Sequence, residues 1–259
     1  MEIPIYQIDA FTSRVFGGNP AAVCPLREWL DDLVLQSIAA ENNLSETAFF
    51  VPIEDGYHIR WFTPVAEVDL CGHATLASAF IVFTQLDRSL TQVVFRSRSG
   101  ILTVTKDGDL LSMDFPSQPP RPCKAPGDLL DGLKQKPLDV LCSEDYFVVF
   151  SNEKDILGLE PDMTKLKRVE LRGVIVTARG DDADFVSRFF APKFGIAEDP
   201  VTGSAHCALI PYWAEKLNKQ ELKAHQVSRR GGELFCSNRA DRVNIAGRAV
   251  KYLEGVITF

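Results

Sequence analysis

Arg60-Trp61-Phe62-Thr63-Pro64 is echoed 128 positions later by Arg188-Phe189-Phe190-Ala191-Pro192. Each copy runs through an acidic segment into a glycine that opens a helix: Glu67-Val68-Asp69-Leu70-Cys71-Gly72-His73-Ala74 first, Glu198-Asp199-Pro200-Val201-Thr202-Gly203-Ser204-Ala205 second. Between the two glycines the offset is 131, so the second copy carries three extra residues. A duplicated strand-loop-helix unit predicts two lobes whose reactive groups face each other across a cleft.

Working outward, short β-like runs dominate. In the first half they fall at 3–10, 47–51, 57–63, 91–98, 101–106 and 110–115, with a hairpin signal at Lys106-Asp107-Gly108-Asp109. The second half offers 140–142, 146–151, 173–178, 185–190, 227–229, 234–237, 242–246 and 250–258. Only two helices read as long and strongly apolar, one from Gly72 and one from Gly203. A helix hydrophobic on nearly all sides is a buried helix, which places one at the centre of each lobe. A third, at 31–41, carries Val34, Ile38 and Ala39 on one side and belongs outside. Pro116, Pro119, Pro120, Pro122 and Pro126 form a semi-rigid connector. The expected fold is α+β, with lobes at 1–115 and 116–259 and the last strand free to cross back to the first lobe.

At 259 residues the chain can bury a large core. Its net charge of −7, with no basic run longer than Arg229-Arg230, excludes the footprint of a nucleic-acid binder. The start, Met1-Glu2-Ile3-Pro4-Ile5, reads as no secretory signal, and the apolar stretch 74–83 is too short to cross a membrane. Six scattered cysteines without a Cys-x-x-Cys pair fit reduced thiols in the cytoplasm. No dinucleotide fingerprint, phosphate-binding loop, nucleophile elbow or metal-ligand spacing is present, so neither cofactor nor metal is expected.

Gly72-His73 and Gly203-Ser204 each open a helix whose first N–H groups lack intrahelical partners, a place suited to the carboxylate of a small anionic metabolite. Glu46 follows Asn42-Asn43-Leu44-Ser45 at a loop-to-strand junction; it reads either as an acid/base or as a partner for an arginine such as Arg60. His73, at a helix N-terminus, favours neutral imidazole and reads as a proton shuttle or as a cap. Asp199 precedes Pro200, which holds it extended, where it positions a ligand or caps the loop. Asn19, in Phe16-Gly17-Gly18-Asn19-Pro20, is a turn residue able to meet a ligand. Cys71 and Thr202 occupy equivalent places in the repeat, each directly before the glycine. A thiol facing a hydroxyl excludes a symmetrical two-thiol mechanism at these positions and leaves one-sided proton removal open.

With these segments in view, the chain resembles the PhzF-like, or phenazine biosynthesis-like, family of the diaminopimelate epimerase-like fold. The matching stretches are Asp9-Ala10-Phe11-Thr12, Gly18-Asn19-Pro20-Ala21-Ala22-Val23, Asn43-Leu44-Ser45-Glu46-Thr47-Ala48-Phe49, Arg60 to Pro64, Leu70-Cys71-Gly72-His73-Ala74-Thr75 and Glu198 to His206. The resemblance implies two pseudo-symmetric lobes, each a barrel-like, mostly antiparallel sheet around a central helix. It also implies an active site between the lobes, a homodimer and no cofactor. In the phenazine enzyme a glutamate matching Glu46 is the general acid/base that moves a proton within a dihydro-anthranilate. Residues matching His73, Asp199 and Ser204 bind substrate or relay the proton. The parent epimerases use a cysteine before each helix, whereas related hydroxyproline dehydratases pair a Cys with a Thr, as Cys71 and Thr202 do here.

The expected function is therefore a cofactor-independent isomerase working through Glu46, His73 and Asp199, with Asn19, Gly72, Gly203 and Ser204 holding a carboxylate-bearing, cyclic or amino-acid-like metabolite. A dehydratase or epimerase of a proline-like amino acid, using Cys71 and Thr202, is the alternative. A metabolite-binding or interaction protein that catalyses nothing is the third reading.

Overall fold

The computed structural model describes residues 1–259, which divide into two units: Met1–Asp114 with Ala246–Phe259, and Phe115–Ile245. The first contains β1 (Glu2–Ala10), β2 (Asn19–Pro25), α1 (Asp32–Asn42), β3 (Glu46–Ile53), β4 (Gly56–Phe62), β5 (Glu67–Val68), α2 (Gly72–Ile81), β6 (Gln92–Ser97), β7 (Gly100–Asp107) and all but the last two residues of β8 (Leu110–Pro116). The second contains β9 (Arg121–Pro122), α3 (Gly127–Leu133), β10 (Asp139–Cys142), β11 (Tyr146–Val149), α4 (Glu153–Leu157), α5 (Met163–Leu166), β12 (Val174–Arg179) and β13 (Phe185–Ala191). It continues through β14 (Ile196–Asp199), α6 (Gly203–Leu217), β15 (Glu221–Gln226), β16 (Gly232–Arg239) and all but the last two residues of β17 (Arg242–Gly247). The last strand, β18 (Ala249–Thr258), pairs antiparallel with β1 from Glu2↔Thr258 to Ala10↔Ala249, in the first unit.

The sheets show that the repeat is structural. In unit 1, β1–β2 is antiparallel, β2–β3 parallel, β3–β4 antiparallel, β4–β6 parallel and β6–β7 antiparallel, with β5 against the end of β4. In unit 2 the same series runs β10–β11 antiparallel, β11–β12 parallel, β12–β13 antiparallel, β13–β15 parallel and β15–β16 antiparallel, with β14 on β13. Both parallel steps in each unit are crossovers made by helices, α2 and α6 among them, as parallel pairing requires. Eight of the ten residues of α2 are buried, and it packs on β1, β2, β3 and β18. No helix is long and apolar enough to cross a membrane.

Equivalent clamps brace the two echoes. Arg60 grips Glu67 at 2.7 and 2.8 Å and lies 5.1 Å over Phe62, and Arg188 grips Glu198 at 2.7 and 3.1 Å and lies 5.0 Å over Phe190. The bidentate fork fixes the angle at which each chain leaves its strand for its helix, a geometry a lysine cannot copy. This explains why the two arginines, aromatics and glutamates recur while the residues between them differ.

One sequence expectation changes, and the structure adds elements that were not expected. The 227–229 segment is turn, and the strand precedes it at Glu221–Gln226. β2 and the small helices α3, α4 and α5 carry no expectation from sequence. The proline-rich connector is held by backbone contacts: Ser117 N donates to Asp241 O at 2.9 Å, Gln118 N to Cys207 O at 2.9 Å, and Arg121–Pro122 joins β10.

The turn from β1 to β2 delivers Asn19 and depends on Gly18. This residue sits at φ +60°, and a Cβ there would lie 2.1 Å from the Ala10 carbonyl oxygen. Gly18→Ala therefore combines left-handed strain with a backbone clash that no rotamer relieves. It is expected to cost about 2–4 kcal/mol in urea unfolding. A loss under about 0.5 kcal/mol, the range of neutral surface changes, would contradict the turn geometry.

Candidate functional site

Unit 1 holds five of the residues singled out from sequence: Asn19, Glu46, Cys71, Gly72 and His73. Asn42 and Asn43 end α1, with Asn43 at φ +49°, so the chain reverses and Glu46 becomes the first residue of β3. Cys71 is the N-cap of α2 and extended, and its side chain makes no capping hydrogen bond. His73, 6% exposed, follows in the first turn. Its Nε2 lies 3.2 Å from Glu46 Oε2, an approach without hydrogen-bond alignment. On the other side of the ring, Nδ1 is 3.3 Å from Asn19 Nδ2 and 3.5 Å from Cys71 Sγ.

Burial pushes the His73 pKa from its ordinary 6.5 down to about 4, partly opposed by a hydrogen bond to the Pro20 carbonyl. Desolvation, more than the helix terminus, keeps this imidazole neutral near pH 7. Arg60, the other partner weighed for Glu46, is taken by Glu67 and Asp32. Asn19 is fully buried, and its amide meets the imidazole at Nδ1. The result is a carboxylate and a neutral imidazole side by side at an uncapped helix start, the elements of proton transfer to a bound anion.

Unit 2 gathers the remaining residues. Thr202 is the extended N-cap of α6, and its hydroxyl turns away from the helix to donate to Asp199 Oδ2 at 2.5 Å. Gln226, which sequence reading passed over, locks this loop. Its Oε1 accepts from Thr202 N at 2.8 Å, and its Nε2 donates to Asp199 O at 2.8 Å and Thr202 Oγ1 at 3.1 Å. His206 bonds the Thr202 carbonyl through Nδ1 at 2.8 Å; burial lowers its pKa from 6.5 to about 4. Its counterpart in the repeat, Thr75, bonds the Cys71 carbonyl at 2.6 Å.

Ser204, the counterpart of His73, accepts a 3.1 Å hydrogen bond from Arg172 Nη2. Arg172 is itself held by Asp145 at 3.0 and 2.6 Å and lies 5.6 Å over Phe189. Thr47 pairs with Phe62 and Val174 with Phe190, so the place of Glu46 falls to Gly173, next to Arg172. Where unit 1 sets a carboxylate against the helix start, unit 2 sets a guanidinium. Arginine cannot accept, so the Ser204 hydroxyl hydrogen is left to point elsewhere, as a donor. The sequence signal for this was slight: an Arg one residue before a strand, with no echo in the first half.

Arg172→Met would leave Asp145, whose side chain is 3% exposed, without its cation. The expected loss is about 2–4 kcal/mol in urea unfolding, discounted from a fully buried pair because Arg172 is partly exposed. Arg172→Lys should recover part of it, and an unchanged midpoint for the Met variant would contradict the clamp.

A family model described as "Phenazine biosynthesis-like protein" (PhzC-PhzF) matches residues 8–255. The chain is 52% identical over 257 residues to an "Uncharacterized isomerase" of Pseudomonas aeruginosa, with 99% of each chain covered. It is 42% identical over 288 residues to "Phenazine biosynthesis-like domain-containing protein 1" of Mus musculus, with all of both covered. A crystal structure of an Enterococcus faecalis phenazine biosynthesis protein of the PhzF family aligns over the full length of both chains, with TM-score 0.98 and 46% identity.

Proposed function

The chain belongs to the PhzC-PhzF, phenazine biosynthesis-like family, and from that premise we propose that it is a cofactor-independent isomerase in which Glu46 moves a proton on a small carboxylate-bearing metabolite. The observation that carries this reading is the 3.2 Å approach of Glu46 Oε2 to His73 Nε2 at the α2 start. The carboxylate faces an imidazole that burial keeps neutral, and contacts of this kind in catalytic pairs tighten when a ligand binds. The isomerase name of the P. aeruginosa relative agrees with it.

Glu46 removes a proton from carbon and returns it to another carbon, so no group is gained or lost. His73, held by Asn19, supports the carboxylate during the transfer. The N–H groups at Gly72 and His73 suit a substrate carboxylate. Unit 2, taken by itself, offers the Gly203 N–H group and the donor hydroxyl of Ser204 to a polar ligand group, with Asp199, the further acid/base of this reading, held by Thr202. A small cyclic or amino-acid-like acid matches this set, and the six free thiols suit a reducing cytoplasm.

A second reading has its own support: Thr202 Oγ1 is 2.5 Å from a carboxylate and Cys71 Sγ is 3.5 Å from an imidazole, so each carries a base beside it. On this reading Cys71 and Thr202 act on a proline-like amino acid by epimerisation or dehydration. The two are separated by incubating the protein with a metabolite extract in D2O and following the retained ligand by mass spectrometry. Isomerisation leaves product of unchanged formula with solvent deuterium at a new carbon, epimerisation leaves unchanged connectivity with deuterium at the original carbon, and dehydration loses 18 mass units. A ligand retained with no exchange and no change would favour a binding protein over both.

A further inference from the structure

The tightest gathering of metal-ligating side chains is in unit 1. A carboxylate oxygen of Glu46, Cys71 Sγ and an imidazole nitrogen of His73 all lie within 4.8 Å of one another. We propose that this triad binds Zn2+ and that the bound ion shuts off proton transfer by Glu46. The inhibition rests on the catalytic reading of Glu46; the binding does not.

The spacings favour it. Zinc sits at about 2.3 Å from sulfur and about 2.0–2.2 Å from nitrogen or carboxylate oxygen, which puts tetrahedral donors roughly 3.2–3.7 Å apart. The Cys71–His73 and Glu46–His73 separations, 3.5 and 3.2 Å, already fall at that range, although they engage opposite ring nitrogens. The ion takes one nitrogen, so one flanking side chain must swing by an ångström or so. Cys71 does this by rotating one bond and Glu46 by rotating three, with the backbone of α2 and β3 fixed. Three protein ligands leave the fourth position for a water or a ligand oxygen, a pattern zinc accepts.

Charge and donor type select the ion. With thiolate, carboxylate and neutral imidazole, the complex with a dication is uncharged, as a site this buried requires. A thiolate and an imidazole suit zinc and cobalt, whereas calcium and magnesium demand oxygen donors. Binding is not a redox step: the Cys71 thiol gives its proton to solvent as the sulfur–metal bond forms. Glu46, now a ligand, can no longer carry a proton.

Anaerobic titration of the reduced full-length protein with Co2+ alone, followed by Zn2+ as competitor, tests the site. The expected result is near-ultraviolet thiolate-to-cobalt absorbance that saturates at one equivalent and is abolished by zinc. Cys71→Ser should remove the band, and Glu46→Gln and His73→Gln should weaken binding at least about tenfold. Cys123→Ser, in unit 2, should titrate like the parent, and circular dichroism confirms that each variant is folded. Absence of the band in the parent, or its survival in Cys71→Ser, overturns the site. Zinc-saturated protein that still exchanges deuterium at the full rate overturns the inhibition and, with it, the role of Glu46. Loss of exchange in Glu46→Gln, together with no cobalt band in the parent, removes the zinc site alone.

Discussion

Glu46→Gln is expected to lower the rate of solvent deuterium incorporation into the protein's ligand by about 10²–10⁴-fold, the range for loss of a positioned general acid/base. The amide has the shape of the carboxylate and can still meet His73, so binding should change little and the loss should fall on the chemical step. The companion variant is Cys71→Ser. If Glu46 carries the proton, the serine keeps most of the activity, because the thiol only flanks the imidazole at 3.5 Å. The opposite pattern, full exchange in Glu46→Gln and none in Cys71→Ser, would overturn the isomerase reading in favour of thiol chemistry. Measuring binding and exchange on the same samples separates a misplaced ligand from a missing base.

What the sequence disclosed, and what it concealed, follow from how each element is stabilised. The two clamps were legible because a bidentate Arg–Glu pair over an aromatic tolerates few substitutions, so both copies kept the same letters at Arg60, Phe62 and Glu67 and at Arg188, Phe190 and Glu198. The Gly72 and Gly203 helix starts were legible because in both copies the glycine follows the acidic segment and opens an apolar run. By contrast, β15 reads Glu-Leu-Lys-Ala-His-Gln, with buried Leu222, Ala224 and Gln226 alternating with polar neighbours. Its composition conceals a strand, and Gln226 is buried because it satisfies the Asp199–Thr202 loop. β2 begins and ends near prolines, which ordinarily demote a strand. The site residues of unit 1 were named individually, but their convergence depends on pairing β2, β3 and α2 from distant parts of the chain. No local pattern places Glu46 beside His73, or Arg172 beside Ser204.

Acidification from pH 6.5 to pH 4 is expected to destabilise the fold steeply, before most carboxylates have titrated. His73 and His206 are buried and share one displacement, from an ordinary 6.5 to about 4 in the fold, with desolvation as the leading cause. A histidine whose pKa is lowered by folding binds its proton more weakly folded than unfolded. Its contribution is therefore fully present above pH 6.5, declines as the unfolded chain takes up the proton, and is exhausted near pH 4. Each displacement is worth about 3 kcal/mol, and the two together rival the whole stability of a marginal domain. The paired carboxylates fall in a lower window: Glu67, held below its ordinary 4.5 by its hydrogen bonds to Arg60, gives up its share only under stronger acid. His206 is the cleaner probe, because replacing His73 would also disturb Glu46 and Cys71 in the candidate site. In His206→Gln, whose amide can still donate to the Thr202 carbonyl, urea midpoints measured between pH 7 and pH 4 should fall about half as steeply as in the parent. A parent midpoint that is flat over this range would show that the two rings bind protons in the fold as readily as out of it, and so are hydrated rather than sealed.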